Sequence, residues 1–506
     1  MQQSTAVPTL CAGLAAMARS HPGRIAIRCG DEALDFAGLV AAIERMAGQL
    51  RARGVTADSA VAALSDNRPG MMIAYYAVAR LGAMFVPINP VLTPPEIAHV
   101  VRHSGATLLL HEEEHAAPAA AAMPDAGQRL SFEALEANAG ATSPLPPEPP
   151  GLIDRDFLTI YTSGSTGVPK AVVLSHEAEV AGNASLIDLW GITASDVVLV
   201  ALPLGFLYGL STAASMGLQA GAEIVLLRRF RPADVLDLLV ARRATVMHGV
   251  PTMFTMMLNY AETQDIRVDL GHMRLLVSAG APLSQDMRTR FRARFGVRID
   301  DYYAMTEARP VFGRRSDDAR DPPPGAVGTL APGVEVTIID AAGRALGPGE
   351  HGEFVVRAPS TFRRYANAED VTAKVLEARG FRTGDVGYVD AQGYYYITGR
   401  IKDIIIRGGA NIAPAEVEGV LASHPAVLLA AVVGMPDATL GEVAVAYVEL
   451  REGQSATPQE LIAHCAAVLA PFKVPALITQ LPRLPVGATG KVDKNALKAA
   501  ARGLAR

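Results

Sequence analysis

A short apolar run, Phe157-Leu158-Thr159-Ile160, leads into Tyr161-Thr162-Ser163-Gly164-Ser165-Thr166-Gly167-Val168-Pro169-Lys170, and this junction constrains the fold more than any other stretch. The apolar run reads as a buried strand. It must therefore open into a loop of small hydroxyl and glycine residues that ends on a single lysine. Glycines let backbone N–H groups approach an anion closely, and Ser and Thr hydroxyls add donors. Such a loop is suited to phosphate. It is not a Walker A loop, because Pro169 precedes Lys170 and Ala171 follows it. Nor is it G-x-G-x-x-G, since Gly164 and Gly167 have no third partner at the right spacing. From composition alone, a Ser/Gly surface loop is the alternative.

The surrounding pattern alternates helix and strand. Phe36 to Gly54 has helical periodicity, Val61 to Leu64 reads as a strand, Met71 to Leu81 as a buried helix, and Thr107 to Leu110 as a strand. Ala116 to Pro150, rich in Ala, Pro and Glu, reads as a surface excursion. Strands follow at Val197 to Val200, Glu223 to Leu227, Thr245 to Met247 and Arg274 to Ser278, separated by helices such as Pro232 to Arg242 and Ser284 to Phe295. Alternation of this kind predicts an α/β fold of largely parallel sheets covered by helices. After Asp321-Pro322-Pro323-Pro324-Gly325 the segments become short strands, which predicts a small β-rich region to Thr398. A mixed α+β segment follows. We place a boundary at Gly399–Arg400, giving residues 1–399 and 400–506 as two domains.

A chain of 506 residues exceeds one hydrophobic core and fits about three domains or subdomains of ~150 residues. The net charge of −5 argues against a general nucleic-acid binder. The three cysteines, Cys11, Cys29 and Cys465, show no metal-ligand spacing and predict a reducing, cytosolic setting. No basic leader with an apolar core opens the chain, and no stretch nears ~20 apolar residues, so neither secretion nor a membrane span is expected.

Downstream motifs give the loop its meaning. Tyr303-Ala304-Met305-Thr306-Glu307, Phe381-Arg382-Thr383-Gly384-Asp385, Gly399-Arg400-Ile401-Lys402-Asp403 with Gly408-Gly409, and Gly487-Ala488-Thr489-Gly490-Lys491 occur in that order. Together with the loop they resemble, over nearly the whole chain, the signatures of the adenylate-forming (AMP-binding) superfamily, and of its acyl-CoA synthetases in particular. The resemblance implies ATP, Mg²⁺ and coenzyme A as cofactors, a small carboxylic acid as substrate and a mobile C-terminal domain.

It also implies roles. Thr162, Ser163, Gly164, Ser165, Thr166, Gly167 and Lys170 would hold the triphosphate. Glu307, with Thr162 as a weaker candidate, would anchor Mg²⁺, next to Thr306 in the same motif. Tyr303 would stack on adenine, Asp301 would accept from its amino group, and Asp385 and Arg400 would reach the ribose. Lys491 would bring the α-phosphate and the substrate carboxylate together. Lys402 would sit at the hinge, and Gly408-Gly409 would line a pantetheine tunnel. The alternatives are bland: a helix-capping glutamate for Glu307, core packing for Tyr303, a turn residue for Asp385, a tight turn at Gly408-Gly409.

Two departures bear on the acid. Phe206 stands where many acyl-CoA synthetases carry histidine, in Pro203-Leu204-Gly205-Phe206-Leu207-Tyr208-Gly209, and Ala304 replaces the usual glycine beside the acyl channel. The added methyl argues against long fatty chains. The resemblance places Phe206, Tyr208, Val250, Gly280, Ala281, Ala304 and Arg309 around the acid pocket. Arg309, if inward, would pair with a second acid group; Asp317 and Asp318 are its alternative surface partners. The expected function is an AMP-forming synthetase for a short-chain, aromatic or dicarboxylic acid. The alternative is a stand-alone adenylation enzyme that loads a carrier protein. A non-catalytic scaffold fits poorly, because Glu307, Asp385, Arg400 and Lys491 are all present.

Overall fold

The computed structural model describes residues 9–138, 145–162, 169–281, 283–408, 410–487 and 492–504. Two helix-covered sheets dominate its first part. One runs Thr329–Leu330, Ala308–Gly313, Asp300–Met305, Leu275–Ala279, Val246–Gly249, Val197–Val200, Glu223–Leu226, Ile25–Cys29 and Glu32–Asp35 in spatial order, parallel through its centre. The other runs Arg364–Tyr365, Lys170–Ser175, Asp156–Thr162, Met84–Ile88, Ala60–Leu64, Leu108–His111 and Arg129–Ser131. The alternation read from the chain is thus the α/β architecture expected. Apolar runs such as Phe157-Leu158 and Val172 to Leu174 are buried because both faces of these sheets are covered.

A smaller antiparallel sheet follows, with Glu335–Ile339, Gly352–Arg357, Gly380–Val389 and Leu376–Glu377 in order and Tyr395–Arg400 also paired to Gly380–Val389. Beyond it, Ala410–Ile412, Ile405–Arg407, Gly441–Leu450 and Val427–Asp437 form another sheet, to which Leu477–Gln480 adds in parallel. This last sheet has its own core of Ile405, Val417, Leu421, Val427, Leu461, Cys465 and Ile478. No described helix is long and apolar enough to cross a membrane.

Two readings of the sequence need correction. The excursion from Ala116 to Pro150 is not wholly surface. It holds helices Ala116–Ala122 and Phe132–Ala137 and the edge strand Arg129–Ser131, with Ala119, Phe132 and Leu135 buried. Alanine-rich composition hid an anchored segment, because small residues bury without a strong periodic signal. The strand Met84–Ile88 was also missed. Pro87 lies inside it, opposite Ala63, and proline argues against a central strand.

Candidate active site

Three sheets meet at one hairpin. Asp300–Met305 and Ala308–Gly313 pair antiparallel with Met305 opposite Ala308, so Thr306 and Glu307 form the tip. No helix starts there, which removes the capping reading of Glu307. Its backbone carbonyl accepts from Phe362 N–H at 2.8 Å, and its Oε1 accepts from the Tyr365 hydroxyl at 2.7 Å. Among the described residues Oε2 accepts nothing. Tyr365 pairs with the strand that Lys170 opens, and Lys170 Nζ stands 4.7 Å from its ring centroid. Thr162 lies opposite Lys170, its hydroxyl 3.5 Å from the Lys170 carbonyl. The strand that Lys170 opens is thus linked to Glu307 through Tyr365, with Thr162 paired alongside Lys170. Ser163, Gly164, Ser165, Thr166 and Gly167 lie outside the described residues.

On the same hairpin, Tyr303 stacks on Phe312 at 5.2 Å and donates its hydroxyl to Asp385 Oδ2 at 2.6 Å. Burial and then the Asp385 charge push that hydroxyl well above its ordinary range, so it stays a donor. Asp385 is only 2 % exposed. Its Oδ1 lies 2.6 Å from Arg400 Nε, its register partner, yet accepts no hydrogen bond of ordinary geometry. That oxygen is open to a donor such as a hydroxyl. Asp301 Oδ2 is bound by Arg288; burial raises the Asp301 carboxyl and the Arg288 charge opposes the shift. Gly280, at φ +90°, and Ala281 are exposed just after strand Leu275–Ala279. Lys402 lies in the turn Ile401–Asp403, whose Asp403 binds Lys498 at 2.7 Å. Gly408, at φ +56°, donates to the Leu440 carbonyl at 2.7 Å. Gly409 and Lys491 lie outside the described residues.

An aromatic group lies along the other face of the strand that carries Tyr303. Tyr208 begins a π-helix, Tyr208–Ser215, a form that often marks functional sites. Gly209 permits this turn: a Cβ there would sit 2.4 Å from the Pro203 carbonyl. Trp190, His248, Tyr208 and Tyr302 close a ring, with centroids 4.8, 5.7, 6.1 and 5.0 Å apart around it. His248 is fully buried, neither ring nitrogen has a partner among the described residues, and burial lowers its pKa to about 3. It is therefore neutral. Phe206 precedes the π-helix, half-buried, Ala304 is half-buried next to Tyr303, and Val250 caps the helix Pro251–Thr263.

Arg309 corrects the sequence reading. It does point inward, but its guanidinium is committed. Nη2 meets Glu179 Oε1 at 2.6 Å and also Ser211, and Nη1 donates to Asn183 Oδ1 at 3.1 Å. Glu179 is 0 % exposed, and its Oε2 takes the Tyr75 hydroxyl at 2.6 Å and the Ser211 hydroxyl. Its charge is spent inside the fold, so Arg309 is not free to pair with a second substrate carboxylate. Neither Asp317 nor Asp318 is its partner. Sequence reasoning also missed Tyr365, Trp190, His248 and Tyr302, which no local motif marks.

A family model described as AMP-binding enzyme matches residues 14–366, and one described as AMP-binding enzyme C-terminal domain matches residues 416–491. The chain is 35% identical to feruloyl-CoA synthase of Amycolatopsis sp over 484 residues, covering 95% of this chain and 96% of that one. It is 34% identical to indoleacetate–CoA ligase of Aromatoleum aromaticum, covering 94% of each. Among solved structures, ATP-bound MatB from Rhodopseudomonas palustris superposes with a TM-score of 0.90 at 30% identity, covering 98% of this chain and 100% of that one. The chain belongs to the AMP-binding, adenylate-forming enzyme superfamily, whose acid–CoA ligases use ATP, Mg²⁺ and CoA.

Proposed function

We propose that the chain is an AMP-forming carboxylic acid–CoA ligase acting on a small acid, with an aromatic acid favoured. The observation that carries this reading is the convergence at one hairpin of Tyr303, Glu307 and their partners Asp385, Tyr365 and Lys170. In the first step a carboxylate oxygen attacks the α-phosphorus of ATP and pyrophosphate leaves. In the second the CoA sulfur attacks the acyl carbonyl, AMP leaves and the thiol proton is released.

Lys170 and the loop from Thr162 hold the phosphates, Tyr303 and Asp301 the adenine, and Asp385 with Arg400 the ribose. The open Oε2 of Glu307 suits a hard cation held by oxygen. Mg²⁺ bound there supplies neutralisation of phosphate charge. Lys491 meets the carboxylate and the α-phosphate together and so favours the transition state over two repelling anions. Strand Tyr395–Arg400 carries Arg400 with the first domain, so the division falls just after the expected Gly399–Arg400 boundary. Rotation about Lys402 would exchange Lys491 for Gly408-Gly409, past which the pantetheine arm would enter.

The aromatic preference rests on the half-buried Tyr208, whose ring would meet the acid, with the buried Tyr302 packed behind it. The dicarboxylic reading lost its residue with Arg309. A panel of aromatic, short-chain and long-chain acids with ATP, Mg²⁺ and CoA, scored for AMP and for acyl-CoA by mass, tests the proposal. Acyl-CoA from a small aromatic acid is expected. AMP or bound acyl-adenylate without acyl-CoA would point to a carrier-protein loader instead, and preference for long fatty acids would overturn the pocket assignment.

A further inference from the structure

Tyr365 stands between the two charged groups proposed to manage the triphosphate. It lies on the two-residue strand Arg364–Tyr365, opposite Val172 of the strand that begins at Lys170. The residue is 2 % exposed, its N–H donates to Thr372 Oγ1 at 2.9 Å, and its ring packs on Phe362 at 4.8 Å. Its position is thus set by the fold. From there the hydroxyl grips Glu307 Oε1 at 2.7 Å while the Lys170 ammonium lies 4.7 Å from the ring centroid. Among the described residues, Lys170 and Glu307 form no ion pair with each other or with anything else.

We propose that Tyr365 is a positioning residue for the cation site. Its hydroxyl fixes the Glu307 carboxylate with Oε2 turned free, and its ring keeps Lys170 as a separate cation for phosphate. The inference rests on the reading of Glu307 as the Mg²⁺ anchor. Without the hydroxyl, Glu307 is released toward the nearby ammonium, and a metal must then compete with that ion pair.

The test compares Tyr365→Phe, which keeps the ring, with Glu307→Gln. Mn²⁺ binding to the full-length protein with ATP is read by electron paramagnetic resonance, and the Mg²⁺ dependence of pyrophosphate release is read separately. Tyr365→Phe should weaken Mn²⁺ binding and raise the half-saturating Mg²⁺ by about tenfold, the scale of one hydrogen bond to a charged group. The rate deficit should shrink as Mg²⁺ is raised. Unchanged or tighter Mn²⁺ binding in Tyr365→Phe, with Glu307→Gln impaired, overturns the role of Tyr365 alone. Unimpaired Mn²⁺ binding in Glu307→Gln overturns the anchor reading on which it rests.

Discussion

Two glutamates, Glu307 at the tip of the hairpin and Glu179 bound to Arg309 on its second strand, are treated in opposite ways. Glu179 is fully enclosed and both its oxygens are occupied: Arg309 on one, Tyr75 and Ser211 on the other. Glu307 has one oxygen held by Tyr365 and the other without a described partner. A saturated carboxylate can do nothing further; its work is to hold the helix His176–Trp190, the π-helix and the strand Ala308–Gly313 together. An unsaturated one, fixed on one side, still has an oxygen free to accept. Counting open lone pairs separates them better than charge or residue type does.

Removing each carboxylate should break different things. Glu307→Gln should cut ATP–pyrophosphate exchange by 100-fold or more, about 2.7 kcal/mol at ~1.4 kcal/mol per factor of ten, with the melting temperature little changed. Lys491→Ala should abolish exchange altogether in a folded protein; normal exchange there would end its proposed role. Glu179→Ala should instead cost about 3–5 kcal/mol of stability, because it strands the Arg309 charge in the interior. Chemical denaturation measures this, and a loss under 1 kcal/mol would mean that Arg309 finds water or another partner. The double variant Glu179→Leu/Arg309→Met sharpens the contrast. It should recover most of the loss, since replacing a whole buried pair with apolar groups is often near neutral.

The same pair shows where sequence reading stops. Tyr303 and Glu307 sit in one short contiguous motif and Asp385 in another, both legible without the fold, and the structure brings the two motifs together. The loop after Thr162 stands out in the sequence because glycine and hydroxyl residues at a strand end leave few other uses. Arg309 was visible but its partner was not. Glu179 lies 130 residues upstream, in the first turn of a helix, where an acid beside Glu177 reads as solvent-facing. Tyr365 failed for the complementary reason. Its strand has two residues, too short for any periodicity, and its importance comes only from pairing with the Lys170 strand. Long-range pairing sets both positions, and no local pattern encodes it.

A smaller effect, on pH dependence, comes from two buried histidines. His248 and His176 are both held at a pKa of about 3, by burial first in each case. Unfolded, each would titrate near ~6.5. Above that value both are neutral in either state and pH changes nothing. Between about pH 6.5 and 3 the unfolded chain binds a proton at each site that the folded chain refuses, so stability falls as pH falls, by about 1.4 kcal/mol per pH unit per histidine. His248→Phe removes one of the two contributions and keeps the ring in its place between Trp190 and Tyr208. Measured by denaturation from pH 6.5 to 5, the variant should lose about 2 kcal/mol less stability than the parent chain. Parallel curves would mean that His248 accepts a proton in the folded state, and hence that water or a polar partner reaches its ring nitrogens. The wall behind Tyr208 would then be wet, and a polar substituent on the acid would have a place to bind.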